Sequence, residues 1–344
     1  METKIRINES SQIPVYKQII ETLTELIDTE KYKEGDILPS MNELAGELGI
    51  SKETIKKAYS ILREKNIIDA TQGKGFYVSR VEENKKINIL LLFDKLSTYK
   101  HVLYSSFESH IGSKAKITIR LHNQDIDVFE QFVSENLGLF DYYVITPHFP
   151  LVDDVQKRVV KTLKRIPNRK LLLLDKNIEE LNGNFGAVYQ DFEKDIYLGL
   201  TQGVRKLKKF SKLNVVTMSS SMYASLIMEG IREFCDINKI NVEFHHNIIP
   251  EIIHKKEVYL ILNSQLDTEL IELIRNAKLM KYKIGKDIGI ISYNESPINE
   301  IILDGLSTIS TDFNQMGELA AQMIYDKNFK KIKCDFHLKS RSTF

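Results

Sequence analysis

Apolar residues recur at helical spacing near the start of the chain. They stand at Val15, Ile19, Ile20, Leu23, Leu26 and Ile27. This spacing predicts an amphipathic helix over residues 14–31, and Pro14 suits an early helical position, where its missing amide proton costs nothing. The charged stretch 33–36 interrupts the pattern.

Two shorter helices follow, and their ends are marked by the sequence. Ser40 with Glu43 three residues later forms a capping-box pattern, and Gly49 suits the end of that helix. Ser51, with Thr54 three residues later, marks the start of the third helix. The inward face of the third helix is predicted at Ile55, Ala58, Tyr59 and Leu62, and its outward face at Lys52, Glu53, Lys56, Lys57 and Arg63. Two helices joined by a turn at Gly49 indicate a helix-turn-helix.

A short hairpin completes this region. Apolar pairs and triplets at residues 67–68 and 76–78 predict two strands, with Gly73 and Gly75 at the tip. Helix-turn-helix followed by a hairpin is the pattern of a winged helix-turn-helix.

The pattern changes after a polar segment at residues 81–86, which we interpret as a linker. Eight short apolar strands then alternate with amphipathic helices. The predicted strands are 87–93, 117–121, 142–146, 171–175, 213–218, 242–245, 258–262 and 288–292, and four predicted helices are 152–165, 192–208, 223–237 and 266–278. Alternation of this kind favours α/β architecture with doubly wound parallel sheets, here in two lobes, over the alternative of one closed (β/α)₈ barrel.

The distribution of charged residues shows where positive charge is concentrated along the chain. The 344 residues are 42% hydrophobic and 28% charged, with a formal net charge of +1, as in ordinary globular proteins. Residues 51–80 nevertheless hold seven basic and three acidic residues, whereas residues 1–50 hold five basic and ten acidic residues. The excess of positive charge therefore coincides with the third helix and the wing, as phosphate contact requires.

The remaining bulk features favour a cytoplasmic protein. Two cysteines, Cys235 and Cys334, form no disulfide framework and are expected to be reduced and buried. The N-terminus shows no apolar signal region, and no apolar run approaches the roughly 20 residues that span a bilayer. We therefore expect no membrane partner.

A helix that displays cations can enter the major groove of double-stranded DNA, where base edges present distinct donors and acceptors. The alternative interpretation is an ordinary solvated helix face and an ordinary glycine turn. Since capped helix, cationic helix and glycine wing occur together, we predict a DNA-binding surface. It comprises Asn42, Ser51, Lys52, Glu53, Thr54, Lys56, Gln72, Gly73, Lys74 and Gly75.

Residues 14–78 resemble the DNA-binding domain of the GntR family of bacterial regulators. The matching segments are Tyr16 to Ile19, Gly35 to Ser40, Leu48 to Tyr59 and Gly73 to Val78. The chain carries Met41 and Asn42 where the family has Glu and Arg, and Lys52 and Lys56 where it has arginines. The resemblance implies operator binding.

Residues 87–328 are similar to the effector domain of the LacI family, which has the periplasmic-binding-protein fold. The matching segments are residues 188–191, 228–232, 288–295 and 305–324. The chain departs at Ile227 and Asn294, where the family has a sugar-contacting Arg and an Asp. A GntR head on a LacI-like body is the arrangement of the arabinose repressor group. This implies domains at 1–80 and 87–344, with the linker at 81–86.

Parallel sheets bind ligands at the carboxyl ends of their strands. That rule, with the first helix after the linker, gives a predicted ligand site made of side chains that can exchange hydrogen bonds with hydroxyl groups. It comprises Asp94, Tyr99, Thr146, His148, Asp175, Asp191, Ser219, Asn263, Tyr293 and Asn294. The alternative is that such residues only cap the following helices.

The sequence predicts a ligand-controlled transcriptional regulator, in the form of a homodimer that binds a two-fold operator and a sugar or sugar derivative. His245, His246 and His254 lack matching metal ligands, and we find no phosphate-binding loop or catalytic motif. We therefore predict neither cofactor, nor metal, nor enzymatic activity. A transport-type binding protein and a sugar-modifying enzyme with a regulatory head are the alternatives.

Overall fold

The computed structural model describes residues 5–8, 11–71, 73, 75–79, 86–217, 222–262 and 268–344. The N-terminal part, here called the head, contains three helices and a hairpin. Its elements are α1 (Val15–Asp28), α2 (Met41–Leu48), α3 (Lys52–Glu64), β1 (Ile68–Thr71) and β2 (Gly75–Val78). The two strands pair antiparallel, with Ile68 opposite Val78. The predicted winged helix-turn-helix is confirmed.

Local hydrogen bonds set the ends of these helices as the sequence indicates. The Ser40 side chain accepts from the Glu43 amide, and the Glu43 carboxylate accepts from the Ser40 amide at 2.8 Å. Gly49 adopts a left-handed conformation that ends α2, and the Ser51 side chain accepts from the Thr54 amide to begin α3. Ile55, Ala58, Tyr59 and Leu62 of α3 are buried, which fixes the opposite face of the helix toward solvent.

The rest of the chain folds into two lobes. The N-lobe contains β3 (Ile87–Phe93), α4 (Thr98–Ile111), β4 (Ala115–Leu121), α5 (Ile126–Asn136), β5 (Tyr142–Ile145), α6 (Asp153–Leu163), β6 (Leu171–Asp175) and β7 (Gly186–Tyr189). The C-lobe contains α7 (Phe192–Gln202), α8 (Val204–Leu207), β8 (Lys212–Val216), α9 (Ala224–Asn238), β9 (Val242–His245), β10 (Glu257–Ile261), α10 (Thr268–Leu279), β11 (Gly289–Tyr293) and β12 (Ser307–Thr311). The chain then returns to the N-lobe as α11 (Phe313–Asp326) and β13 (Lys331–Lys333), and ends in the C-lobe with β14 (Phe336–Lys339).

Each lobe is built on an open six-stranded sheet. The strand orders are β13-β7-β6-β5-β3-β4 and β14-β12-β11-β10-β8-β9, and among the described pairs of these two sheets only β12 with β14 is antiparallel. Two open sheets exclude the barrel and confirm the predicted two-lobed fold. The chain passes between lobes after β7, after β12 and after β13, so three connections form the hinge.

The structure corrects two details of the predicted body. Pattern alone gave eight strands, whereas the described residues form twelve there, with β7, β12, β13 and β14 added. The helix predicted at 192–208 is divided at Gly203 into α7 and α8. A side chain at Gly203 would lie 2.3 Å from Leu338 Cδ2, so glycine there lets the end of the Leu338 side chain pack against the helix without moving.

Candidate nucleic-acid interface and ligand cleft

The solvent face of α3 carries the cations that the sequence placed there. Lys52, Glu53 and Lys56 are exposed, and Lys56 lies 3.7 Å from the Glu53 carboxylate. Lys57 instead lies over the ring of Tyr16 at 4.0 Å, which draws it toward α1. Ser51 and Thr54 share a side-chain hydrogen bond of 2.8 Å at the start of the helix. The surface therefore presents Lys52 and Lys56, with Glu53 between them.

Two further elements flank this helix face. Asn42 is exposed in the first turn of α2. Gly73 and Gly75 have φ of 84° and 88°, a left-handed backbone that explains glycine at the tip of the wing. Gln72 and Lys74 lie outside the described residues. Contact of this whole surface with DNA stays a prediction.

The carboxyl edge of the N-lobe sheet holds a buried ionic cluster around a lysine that the sequence analysis missed. The Lys100 ammonium lies 2.7 Å from Asp94 Oδ1 and 3.0 Å from Asp175 Oδ2. Thr146 donates from its hydroxyl to Asp94 Oδ1 at 3.0 Å. Lys100 precedes Leu103, Phe107 and Ile111 on the buried stripe of α4. A lysine in line with an apolar stripe is the signal that could have found it.

The environment keeps these groups charged. Burial opposes ionisation of Asp94, but Lys100 and His148 lower its pKa to about 2. Burial likewise opposes ionisation of Asp175, and Lys100 and His148 lower its pKa further below the usual range. Burial disfavours the ammonium of Lys100, yet Asp175 and Asp94 hold its pKa above the ordinary value. The cluster is thus two carboxylates facing one ammonium.

Residues in the connections between the lobes form hydrogen bonds that lead to this cluster. Gln190, which follows β7, donates to Asp175 Oδ1. Thr311, at the end of β12, donates to Gln190 Oε1 at 2.8 Å. Lys333 of β13 also pairs with Asp195 of α7 at 2.6 Å. All three connections between the lobes therefore lie beside charged or polar groups of the cleft.

The C-lobe faces the cluster with aromatic side chains. Tyr223 stacks on Phe192 at a centroid distance of 4.5 Å, and its ring meets the edge of His148 at 5.0 Å. Burial and the carboxylate of Asp175 raise the pKa of Tyr223, and burial with Asp195 and Asp175 raises that of Tyr293. The side chains of both lobes thus share one electrostatic environment.

Several buried polar atoms in this cleft have no hydrogen-bond partner. They are Asp94 Oδ2, Tyr293 OH and Asn294 Oδ1, whereas Tyr223 OH lies within reach of the Phe149 backbone. His148 Nε2 lies 3.2 Å from Asp175 Oδ2, but outside hydrogen-bonding geometry. Buried polar groups are normally paired, so a group of unpaired ones facing a cleft marks a place where a ligand can bind.

The other predicted ligand residues have different surroundings. Tyr99 is half-buried and packs on Phe313 at 4.6 Å. Asp191 accepts from the Lys194 amide and caps α7, as the alternative interpretation of strand-end residues expects. Ser219 and Asn263 lie outside the described residues. Tyr223 and Lys100 join the candidate site, since geometry places them there.

The head rests on the N-lobe through α1 and the residues before it. Ile13 is buried in the N-lobe core. Lys17 packs closely on Gly138. A Cβ atom at position 138 would lie 3.1 Å from Lys17 Cβ. The Glu21 carboxylate lies 2.9 Å from Arg169 and 3.0 Å from Lys170, both of which precede β6. Because α1 also packs on α3, the recognition surface is connected to the N-lobe by direct contact.

Other features of the described residues give no second site of this kind. A groove of about 920 Å³ lies on the outer face of α6, beside Ser11 and Gln12 and lined by Lys157 and Lys161. No group of three His, Cys, Asp or Glu side chains is placed to hold a metal ion within the ranges the structure describes. In those same ranges, no helix combines the length and apolarity needed to cross a bilayer.

The fold and these surfaces define a two-domain protein in which a winged helix-turn-helix precedes a periplasmic-binding-protein-like body. Residues 15–78 match the sequence model of "Bacterial regulatory proteins, gntR family". This match covers the helices and the wing of the head and none of the body.

Curated relatives are similar to the head. The mannosyl-D-glycerate transport/metabolism system repressor MngR of Escherichia coli is 36% identical over 89 residues, which are 26% of this chain and 37% of that protein. The repressor YtrA of Bacillus subtilis is 38% identical over 86 residues, 25% of this chain and 64% of that protein. The match thus spans between about a third and two thirds of these relatives.

Solved structures are similar to the body. The dimeric Lac repressor aligns with a TM-score of 0.60 at 16% identity, over 75% of this chain and 98% of that chain. The trehalose repressor of Escherichia coli aligns with a TM-score of 0.59 at 11% identity, over 74% and 99%. A LacI-family regulator of Enterococcus faecium with bound ribose aligns with a TM-score of 0.56 at 18% identity, over 74% of this chain and 98% of that chain. At this identity the likeness establishes the fold.

Proposed function

We propose that this chain is a cytoplasmic, sequence-specific transcriptional repressor whose affinity for its operator is controlled by a sugar or sugar derivative bound between the two lobes. Two curated relatives are named repressors, and the body shares its fold with a LacI-family regulator crystallised with ribose. The observation that carries the ligand half of the proposal is the set of buried polar atoms without partners that the two lobes contribute where they meet.

The DNA half rests on α3. Its buried face fixes the helix on α1 and α2, and its opposite face presents Lys52 and Lys56 to solvent. Cations on such a helix contact phosphates and guanine edges in the major groove. A homodimer would place two heads on a two-fold operator with half-sites one or more helical turns apart.

Coupling between the two halves uses the contact of the head with the N-lobe. Ligand binding draws the lobes together around the hinge, and the heads move with the N-lobes because Ile13 and Glu21 hold α1 there. The ligand can change operator affinity only by its different affinity for the two arrangements, and DNA must change ligand affinity by the same factor.

The test is operator binding by the full chain, measured by footprinting on DNA upstream of its own gene. Lys52→Ala with Lys56→Ala should abolish the footprint, whereas the Tm shift given by a bound sugar stays unchanged. Lys278→Ala with Lys286→Ala removes the same charge from exposed positions of the C-lobe and serves as the control. An unaltered footprint in the α3 variant would exclude this helix as the DNA-reading element.

A further inference from the structure

The cleft holds two carboxylates and one ammonium. Asp94 and Asp175 face the single ammonium of Lys100, so one negative charge remains among these three groups, which the imidazole of His148, 3.2 Å from Asp175 Oδ2, balances only when it is protonated. Asp94 is only 1% exposed, and its Oδ2 atom has no partner. A buried carboxylate oxygen without a donor is costly, and a ligand that brings a donor would remove that cost.

Lys100 is not available to a ligand. It is fully buried, and its ammonium is held between Asp94 Oδ1 and Asp175 Oδ2 at 2.7 and 3.0 Å. An anionic ligand would have to pull this ammonium away and leave two buried carboxylates unpaired, which is strongly unfavourable. The cation deepest in the cleft therefore neutralises the protein's own carboxylates.

Lys176 is a second lysine beside the aromatic wall. Its ammonium lies 5.2 Å from the centre of the Tyr223 ring and 3.4 Å from Gln156 Oε1. Burial lowers its pKa. Its ammonium donates to Gln156 and takes no part in the ion pairs of Asp94 and Asp175, so it leaves their charge balance unchanged.

We propose that the cleft accepts an uncharged or amine-bearing polyhydroxyl compound, and that Asp94 determines this selectivity by accepting from the ligand and repelling phosphate and carboxylate groups. The inference rests on the proposed function and deepens it. Hydroxyl or ammonium donors satisfy Asp94 Oδ2, the Tyr293 hydroxyl and the Asn294 side chain offer further partners, and the ring of Tyr223 supplies an apolar wall.

The experiment measures ligand binding to the full chain by thermal shift and calorimetry. The probes are common aldopentoses and aldohexoses, each beside its phosphate ester, its uronic acid and, for hexoses, its 2-amino derivative. We expect one or more neutral sugars to bind and the corresponding phosphate ester and uronic acid to bind at least about 100-fold more weakly, as like charges in a desolvated site require. An anionic derivative that binds as well as its parent overturns the inference, as does a panel in which no neutral or amino sugar binds.

Asp94→Asn tests the assigned residue. The remaining Lys100–Asp175 pair is neutral, so the variant keeps a balanced cluster. Affinity for the neutral sugar should fall about 10- to 100-fold, since a charge-assisted hydrogen bond is lost, and the preference over the phosphate ester should shrink. The preference for the neutral sugar over its phosphate ester would not change if Asp94 had only a structural role. Asp125→Asn, the same change at the capping residue of α5, should leave both values unchanged.

The two proposals fail in different ways. A footprint that is released by a phosphate ester but by no neutral sugar overturns the selectivity of Asp94 and leaves the repressor function intact. Binding of a neutral sugar by a chain that protects no DNA overturns the repressor function and leaves the cleft chemistry intact.

Discussion

Glu21 of α1 and Lys170, which directly precedes β6, form an ion pair of 3.0 Å that joins the head to the N-lobe. Both side chains are mostly buried, at 16% and 17% exposure. Burial opposes ionisation of Glu21, but Lys170 and Arg169 lower its pKa. The head is thus held by a shielded electrostatic contact beside the apolar contact of Ile13.

A double-mutant cycle measures this contact. Glu21→Gln and Lys170→Met should show a coupling free energy of about 0.5–1 kcal/mol in urea unfolding of the full chain, since the pair is only partly desolvated. The same cycle on Asp191 and Lys194, whose lysine is 79% exposed, is the control and should give a smaller value. If the ion pair transmits the ligand signal, Glu21→Gln also reduces the factor by which ligand weakens DNA binding. An unchanged factor would limit the pair to a structural role.

We expect the ammonium of Lys100 to contribute strongly to the free energy of unfolding of the protein. Lys100→Met leaves Asp94 and Asp175 buried without their cation and should cost about 3 kcal/mol or more in free energy of unfolding, against a smaller loss for Asp94→Asn. Adding Asp94→Asn and Asp175→Asn to Lys100→Met should restore much of the stability, because no unpaired charge remains. Failure of this triple variant to recover relative to Lys100→Met would show that packing, and not charge, is the role of Lys100.

His122 predicts a pH dependence of stability. Burial lowers its pKa to about 4, and both ring nitrogens serve the neutral form, since Nδ1 accepts from the Gln124 amide and Nε2 donates to the Thr146 carbonyl. The unfolded chain binds this proton near pH 6.5, whereas the folded protein binds it near pH 4. The contribution of neutral His122 to the free energy of unfolding is therefore fully present above about pH 6.5. It falls by about 3 kcal/mol as the pH decreases to about 4.

Urea unfolding from pH 4 to pH 7 checks this sign. His122→Asn should remove that part of the slope, while His101→Asn, which deletes an exposed imidazole, should keep the wild-type profile. A His122→Asn profile parallel to wild type would contradict the assignment.

Gly230 permits the close packing of α9 on α7. A side chain there would lie 2.1 Å from the Glu193 carbonyl oxygen, and backbone cannot yield as a flexible side chain can. Gly230→Ala should therefore cost about 1–3 kcal/mol in unfolding of the body. Gly46→Ala in α2 meets nothing within 4 Å and should instead stabilise the head, by up to about 1 kcal/mol. A stable Gly230→Ala variant with unchanged ligand affinity would show that the two helices can separate freely.

Features that depend on neighbours in the chain were predictable. The capping box of Ser40 and Glu43, the left-handed Gly49 and the buried stripe of α3 follow from hydrogen bonds and periodicity within a few residues. Buried parallel strands such as β3 and β6 are continuous apolar runs, so they were found at their observed bounds.

The strands that escaped prediction owe their burial to distant partners. β12 (Ser307–Thr311) is fully buried although it is rich in hydroxyl groups, because residues outside the strand, such as Gln190, Glu295 and Arg341, form hydrogen bonds with those groups. β13 is an edge strand of alternating lysines and has no apolar run to reveal it.

The sequence by itself determined the helices of the head, the wing, the α/β alternation and the strand ends at which polar side chains stand, since these depend on local bonding and on the direction of parallel strands. Only the tertiary structure decided that Lys100 neutralises Asp94 and Asp175, that Tyr223 faces them from the other lobe and that Glu21 ties the head to the body. Those contacts join residues up to about 150 positions apart, as Glu21 with Lys170 shows, and they form because burial forces each charge to find an opposite one wherever the fold brings it close.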